Sequence, residues 1–237
     1  PSWEIRSGTM RRWRWLRQGV DHMGPTQIFR QLLERYPRLT VCEEEIWKAY
    51  EEWAACFDRK GKLMTCGNGG SSADAQHIVG ELMKEFDRKR PLEEAFAARL
   101  EAMYPREGLP GKLQPALPAV ALGSGQVLVS AYSNDVAPDM VFAQEVYGYG
   151  REGDILLALS TSGNSVNVGN AVKVARAMGI RTMGICGRRY TGADNLLVSL
   201  CDICIVIPET EVYLVQELTL PVYHALCRMV EARYWQA

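Results

Sequence analysis

Apolar positions along the chain switch between two periods. Ile28, Leu32, Leu33 and Tyr36 recur at helical spacing and predict a helix over residues 26–38, ended by Pro37. Ile46, Tyr50, Trp53, Ala54 and Phe57 predict a second helix over 43–59. After Gly61 the pattern changes. Residues 62–66 read as a short apolar strand, followed by a small polar loop, Gly67 to Ser72, and a helix from about Ala73 to Phe86. A stretch rich in Pro, Gly and charge, 87–117, interrupts the rhythm, with one helix inside it from Leu92 to Met103. Apolar segments resume at 117–122 and 127–132, and 137–149 reads as a helix.

The clearest unit follows. A strand at 154–159 leads to a polar loop, Ser160-Thr-Ser-Gly-Asn-Ser165, and a helix at 167–178 that stops at Gly179. Strands at 181–186 and 202–207 flank a helical turn near 193–200, and a long helix runs from Glu211 to Tyr234. Strands alternating with helices imply βαβ units: an α/β fold, a doubly wound parallel sheet flanked by helices in three layers. The domain reading is one unit over 25–237, with the inserted excursion at about 87–117, after a leader or tag at 1–24.

Composition narrows the classes. The 237 residues are 47% apolar and carry 27 Lys+Arg against 28 Asp+Glu, which argues for a globular chain and against a nucleic-acid surface. No apolar run reaches the ~18 residues of a membrane span. The N-terminal 24 residues are the exception, with Arg6, Arg11, Arg12, Arg14 and Arg17 against Glu4 and Asp21. Seven scattered cysteines make a poor disulfide framework and point to a reducing, cytoplasmic setting. Cys201 and Cys204 form a lone CxxC in an apolar strand, expected to be buried free thiols.

Both polar loops join a strand to a helix N-terminus, the edge of a parallel sheet where ligands collect. Exposed amides and a partial positive charge suit an anion there. The loop at 160–165 offers four hydroxyls and no Lys or Arg, as a phosphate monoester would need. There is no GxxxxGK[ST], and the glycine-rich loop at 67–72 lacks the third glycine of a dinucleotide fingerprint, so no nucleotide cofactor is expected. His77 and Glu81 are four apart and share a helix face; such a pair can share a metal or act as acid and base. Gln216 and His224 are eight apart, about 80° of rotation but roughly 12 Å of rise, so neighbouring subunits are the expected way for both to serve one site.

The run Cys66 to His77 through Glu81, the serine loop Ser160–Ser165, and Val215-Gln-Glu through His224 together resemble a sugar isomerase (SIS) domain, and within that family are most similar to the phosphoheptose isomerases. The resemblance implies a homotetramer with sites at subunit interfaces and reversible conversion of sedoheptulose 7-phosphate to a manno-heptose 7-phosphate. It implies that Ser160, Thr161, Ser162 and Ser165 hold the phosphate, and that Asn68, Gly69, Gly70, Ser71 and Gln216 contact the substrate. Asn134 and Asp135 would bind sugar hydroxyls, and Glu81 and His224 would transfer protons. Family members can carry zinc, and the matching ligands are His77, Glu81, Gln216 and His224. The chain departs from the family at Thr219, where many members have histidine, at Gly80, where an acidic residue often stands, and in the longer 87–117 excursion. Two alternatives stay open: a non-catalytic phosphosugar-binding regulator, and isomerisation of another phosphosugar.

Overall fold

The computed structural model describes residues 23–188 and 195–235, so the expected leader at 1–24 lies almost wholly outside the described residues. Helix α1 spans Pro25–Arg35 and α2 spans Glu43–Asp58. Pro25 supplies a fixed φ at the start of α1, and the helix stops before Tyr36-Pro37, since a residue ahead of proline disfavours the helical region. Glu43, Glu44 and Glu45 fill the first turn of α2, where negative charge complements the helix dipole.

Strand β1 (Leu63–Gly67) runs into helix α3 (Gly70–Met83). This helix begins three residues before the expected Ala73, because the amides of Ser72 and Ala73 already bond to the carbonyl of Gly69. It ends three residues before Phe86 for a tertiary reason. The Glu231 carboxylate accepts the amides of Phe86, Asp87 and Arg88 at 2.7–3.0 Å and pulls the chain out of the helix. Helix α4 (Glu94–Met103) has no buried residue. Strand β2 (Ala119–Ala121) follows, and the apolar segment at 127–132 proves to be helix α5 (Gln126–Asp135). In the expected 137–149 helix, residues 138–140 form a separate turn behind Pro138 and α6 covers Val141–Tyr149. Then come β3 (Ile155–Ser160), α7 (Val166–Ala177), β4 (Arg181–Gly187), α8 (Leu196–Leu200), β5 (Ile203–Ile207) and α9 (Val212–Tyr234).

All five strands are parallel, in the order β2-β1-β3-β4-β5. Strand alternation divides the core. Leu63, Ile155, Leu157, Met183 and Ile205 face α1, α2, α3 and α9, while Met64, Cys66, Leu156, Ala158 and Cys186 face α6, α7 and α8. The doubly wound three-layer expectation therefore holds. The order reverses between β1 and β3, so the loops that leave these neighbouring strands flank the switch point, where open α/β sheets bind ligands.

All seven cysteines are free thiols; Cys201 and Cys204 are half-buried, and the Sγ atoms of Cys186 and Cys204 lie 3.7 Å apart. Among the described residues no helix is long and apolar enough to cross a membrane.

Candidate active site

The two loops at the switch point are tied together. Asn68, just beyond β1, and Asn167, in the first turn of α7, exchange two amide hydrogen bonds of 2.9 Å. In the serine loop the Ser160 hydroxyl lies 3.0 Å from that of Ser165 and 3.5 Å from that of Ser162, which also accepts the Asn164 amide at 3.2 Å. Three hydroxyls thus converge inside one turn, and Thr161 adds a fourth in sequence. Neither α7 nor α3 has a side-chain bond from its N-cap residue; the third amide of each is taken, Val168 by Asn167 Oδ1 and Ser72 by the Gly69 carbonyl, which leaves the two amides before it to face an anion.

The shape of the serine loop depends on Gly163. Its φ of +68° is left-handed, and a Cβ there would stand 2.2 Å from Asn195 Oδ1. Asn195 caps α8, and the Leu196 amide bonds to Asn164 Oδ1 at 2.7 Å, so α8 braces the loop from behind. In the first loop, a Cβ on Gly70 would meet Gln216 Nε2 at 2.2 Å. Only glycine lets the α9 amide side chain lie this close to the start of α3. Gly69 and Ser71 flank this contact, Gly69 exposed and Ser71 buried.

A second constellation lies farther along α3 and α9, which run side by side in the same direction. His77 Nε2 is 3.1 Å from Glu81 Oε1, and the rings of His77 and His224 meet edge to face at 5.0 Å. Glu81 Oε2 and His224 Nε2 are buried without a hydrogen-bond partner; the nearest cation to that carboxylate oxygen is Lys84 Nζ, at 3.6 Å. Burial, and then the neighbouring His77 ring, hold His224 below the ordinary histidine value, so it is neutral at pH 7. The ring also walls a cavity of about 370 Å³ between α1 and α9, shared with Gln31, Arg35 and Arg228.

His77, Glu81 and His224 are therefore gathered in one chain, and Gln216 is not with them; it sits with Gly70 at the loop end. Among the described residues no three His, Cys, Asp or Glu side chains are grouped so as to hold a metal ion. Asn134 and Asp135 end α5, exposed and bonded to each other at 2.8 Å, with no bond to either loop. Thr219 is buried in α9 and donates to the Val215 carbonyl at 2.8 Å, so the missing histidine leaves no gap in the cluster.

Sequence reasoning missed two members of this cluster. Tyr223 places its hydroxyl 2.9 Å from His77 Nδ1, and the same hydroxyl donates to Asp74 Oδ1 at 3.2 Å. Asp74 was legible as a polar residue one turn before His77 on the same face. Tyr223 falls on the apolar stripe of α9 and reads as core.

A doubly wound sheet with a hydroxyl-rich loop at its switch point is the architecture of a SIS domain, and the SIS domain family model matches residues 29–106 and 97–187. The phosphoheptose isomerase of Rhodospirillum rubrum is 37% identical over 82% of this chain and 88% of its own; that of Pelodictyon phaeoclathratiforme is 39% identical over 75% and 72%. The solved phosphoheptose isomerase of Neisseria gonorrhoeae superposes with a TM-score of 0.65 at 29% identity, covering 86% of this chain and 94% of that one. The chain belongs to the SIS-domain family and, within it, to the phosphoheptose isomerases.

Proposed function

We propose that the chain is an aldose–ketose isomerase that converts sedoheptulose 7-phosphate to D-glycero-D-manno-heptose 7-phosphate. The observation that carries this reading is the meeting of Glu81, His77 and His224 on adjacent helices, with a buried carboxylate oxygen and a buried imidazole nitrogen that make no hydrogen bond. A binding protein has no use for orphaned buried acid–base atoms, which cost stability. The relatives' shared name supports the same reading.

Ser160, Thr161, Ser162 and Ser165, with the free amides of α7, hold the phosphate, which does not react. Its binding energy positions the sugar. Asn68, Gly69, Gly70, Ser71 and Gln216 contact the substrate beside it, and Asn134 and Asp135 bind sugar hydroxyls. Glu81 removes a proton from C1 of the ketose and returns it to C2. The neutral His224 carries the hydroxyl proton from O1 to O2, so the enediol(ate) collapses to the aldose with all atoms conserved.

One chain does not complete this site. Glu81 lies eleven residues beyond Gly70, about 16 Å along α3. The serine loop, between β3 and α7, and the Glu81–His224 pair, on the later turns of α3 and α9, are thus held by different parts of one chain. We therefore place the phosphate loop and the Glu81–His224 pair of one site on different copies of the chain, in a homo-oligomer, a tetramer by family resemblance. The absence of a membrane-spanning helix among the described residues and the free thiols fit a cytoplasmic setting.

His77, Glu81 and His224 are donors of the kind zinc takes, and two of them keep buried atoms that make no hydrogen bond. Among the described residues the single chain does not group three of them around a metal position; by the family resemblance they would hold zinc only together with Gln216 of another copy. When bound, zinc polarises the sugar carbonyl. A chelator that changes neither activity nor thermal stability would remove it from the account.

The functional test is turnover of sedoheptulose 7-phosphate by the wild type beside Glu81→Gln. Turnover confined to the wild type supports the assignment. Tight binding of the sugar phosphate without turnover would favour the regulatory reading, and preference for a pentose or hexose phosphate would change the substrate.

A further inference from the structure

The histidine at the centre of the cluster is half in solvent; the His77 side chain keeps 42% of its exposure. A ring so placed is free to turn, or to carry its proton on either nitrogen, unless something fixes it. A relay through one hydroxyl does so. The Tyr223 hydroxyl meets Nδ1 at 2.9 Å and Asp74 Oδ1 at 3.2 Å, and Tyr223 itself is wholly buried.

The hydroxyl has one proton and accepting lone pairs. Asp74 accepts, so the hydroxyl proton points to Asp74. The phenol oxygen is then left to accept from His77, which must carry its proton on Nδ1. Nε2 then faces Glu81 Oε1 at 3.1 Å.

We propose that Tyr223 and Asp74 are positioning residues for the isomerisation: the Asp74–Tyr223–His77 chain locks the His77 ring as the Nδ1–H form and aims Nε2 at Glu81. This rests on the isomerase reading above and deepens it. Neither residue touches the sugar. Both act through His77, as partners of a ligating or catalytic histidine do when they set its tautomer and orientation. The same lock serves whether Nε2 faces a carboxylate, a proton or a metal.

The test is Tyr223→Phe, which fills the same buried space and lacks one oxygen. On sedoheptulose 7-phosphate its kcat should fall by ~10-fold or more, with KM within about twofold. The imidazole nitrogens report the lock directly. The chain has only three histidines, so ¹⁵N signals of His77 can be assigned with a His77→Gln control. In the wild type Nδ1 should show the protonated shift; in Tyr223→Phe it should move toward a mixture of tautomers. Asp74→Asn, which keeps a carbonyl acceptor, should lose less activity than Asp74→Ala, and it guards against a folding defect in the tyrosine variant. Unchanged kcat and ring signals in Tyr223→Phe would overturn the inference, as would a rise in KM alone. Glu81→Gln run alongside separates the two levels. If it is inactive while Tyr223→Phe is normal, only the positioning role fails; if it turns over, the isomerase reading itself fails.

Discussion

His224 has a ring nitrogen that is buried and unbonded, and its charge state decides whether that is tolerable. Burial and the adjacent His77 ring depress its pKa, with Arg228 acting the same way and Glu81 opposing. In the unfolded chain the group titrates near 6.5. Below that pH the unfolded state takes the proton first, so stability falls as pH drops from about 6.5 toward the folded pKa. Above 6.5 both states are neutral and the group adds no slope. Melting temperature measured from pH 5 to 8 should therefore fall on the acid side, and His224→Gln should flatten the curve. An unchanged curve in that variant would show that the ring is not held neutral. His77, Glu81 and His224 were legible from spacing and motif. Tyr223 was not, because a tyrosine on an apolar stripe gains its hydroxyl partners only when α9 packs beside α3.

Between elements, the turn of α3 that carries Glu81 is held by a buried ion pair that the sequence did not reveal. Arg90 Nε bonds Glu231 Oε1 at 2.9 Å, both side chains fully buried, and the same guanidinium caps α3 through the carbonyls of Leu82 at 2.6 Å and Glu81 at 3.0 Å. Its guanidinium carbon also stands 4.5 Å from the centre of the Trp235 ring. Glu231 in turn takes three backbone amides at the foot of the 87–117 excursion. Periodicity placed α3, α7 and α9 well, yet it carried α3 three residues too far, because the competing acceptor comes from a residue 145 positions away. Removing one partner of a buried pair leaves an uncompensated charge. Glu231→Ala should therefore cost ~3–5 kcal/mol, a fall in Tm on the order of 10 °C. It should also lower kcat through the displaced Glu81 turn. A Tm within a degree or two of wild type would contradict this view of the anchor.

At the scale of the whole molecule, the proposed function places the serine loop and the Glu81–His224 pair of one site on different copies of the chain. The parallel sheet and the two polar loops that leave β1 and β3 followed from sequence, since local pattern sets them, whereas the strand order came only with the structure. The distance between loop and acid–base pair did not, because it depends on how far along α3 the site is built. Two defective chains should then repair each other. Glu81→Gln and a loop variant, Ser162→Asp, should each be nearly inactive alone. Co-expressed, they should regain about a quarter of wild-type activity if one loop and one acid–base pair meet across an isologous interface. A mixture as inactive as its parts would return the site to a single chain.

The chemistry itself is open to one direct measurement. In the proposed mechanism, proton abstraction at C1 and redelivery at C2 through the Glu81 carboxylate expose the carried proton to solvent. Sedoheptulose 7-phosphate turned over in D₂O and followed by NMR should give aldoheptose 7-phosphate labelled with deuterium at C2, and Glu81→Gln should give neither product nor label. Unlabelled product from the wild type together with undiminished turnover by Glu81→Gln would contradict the account.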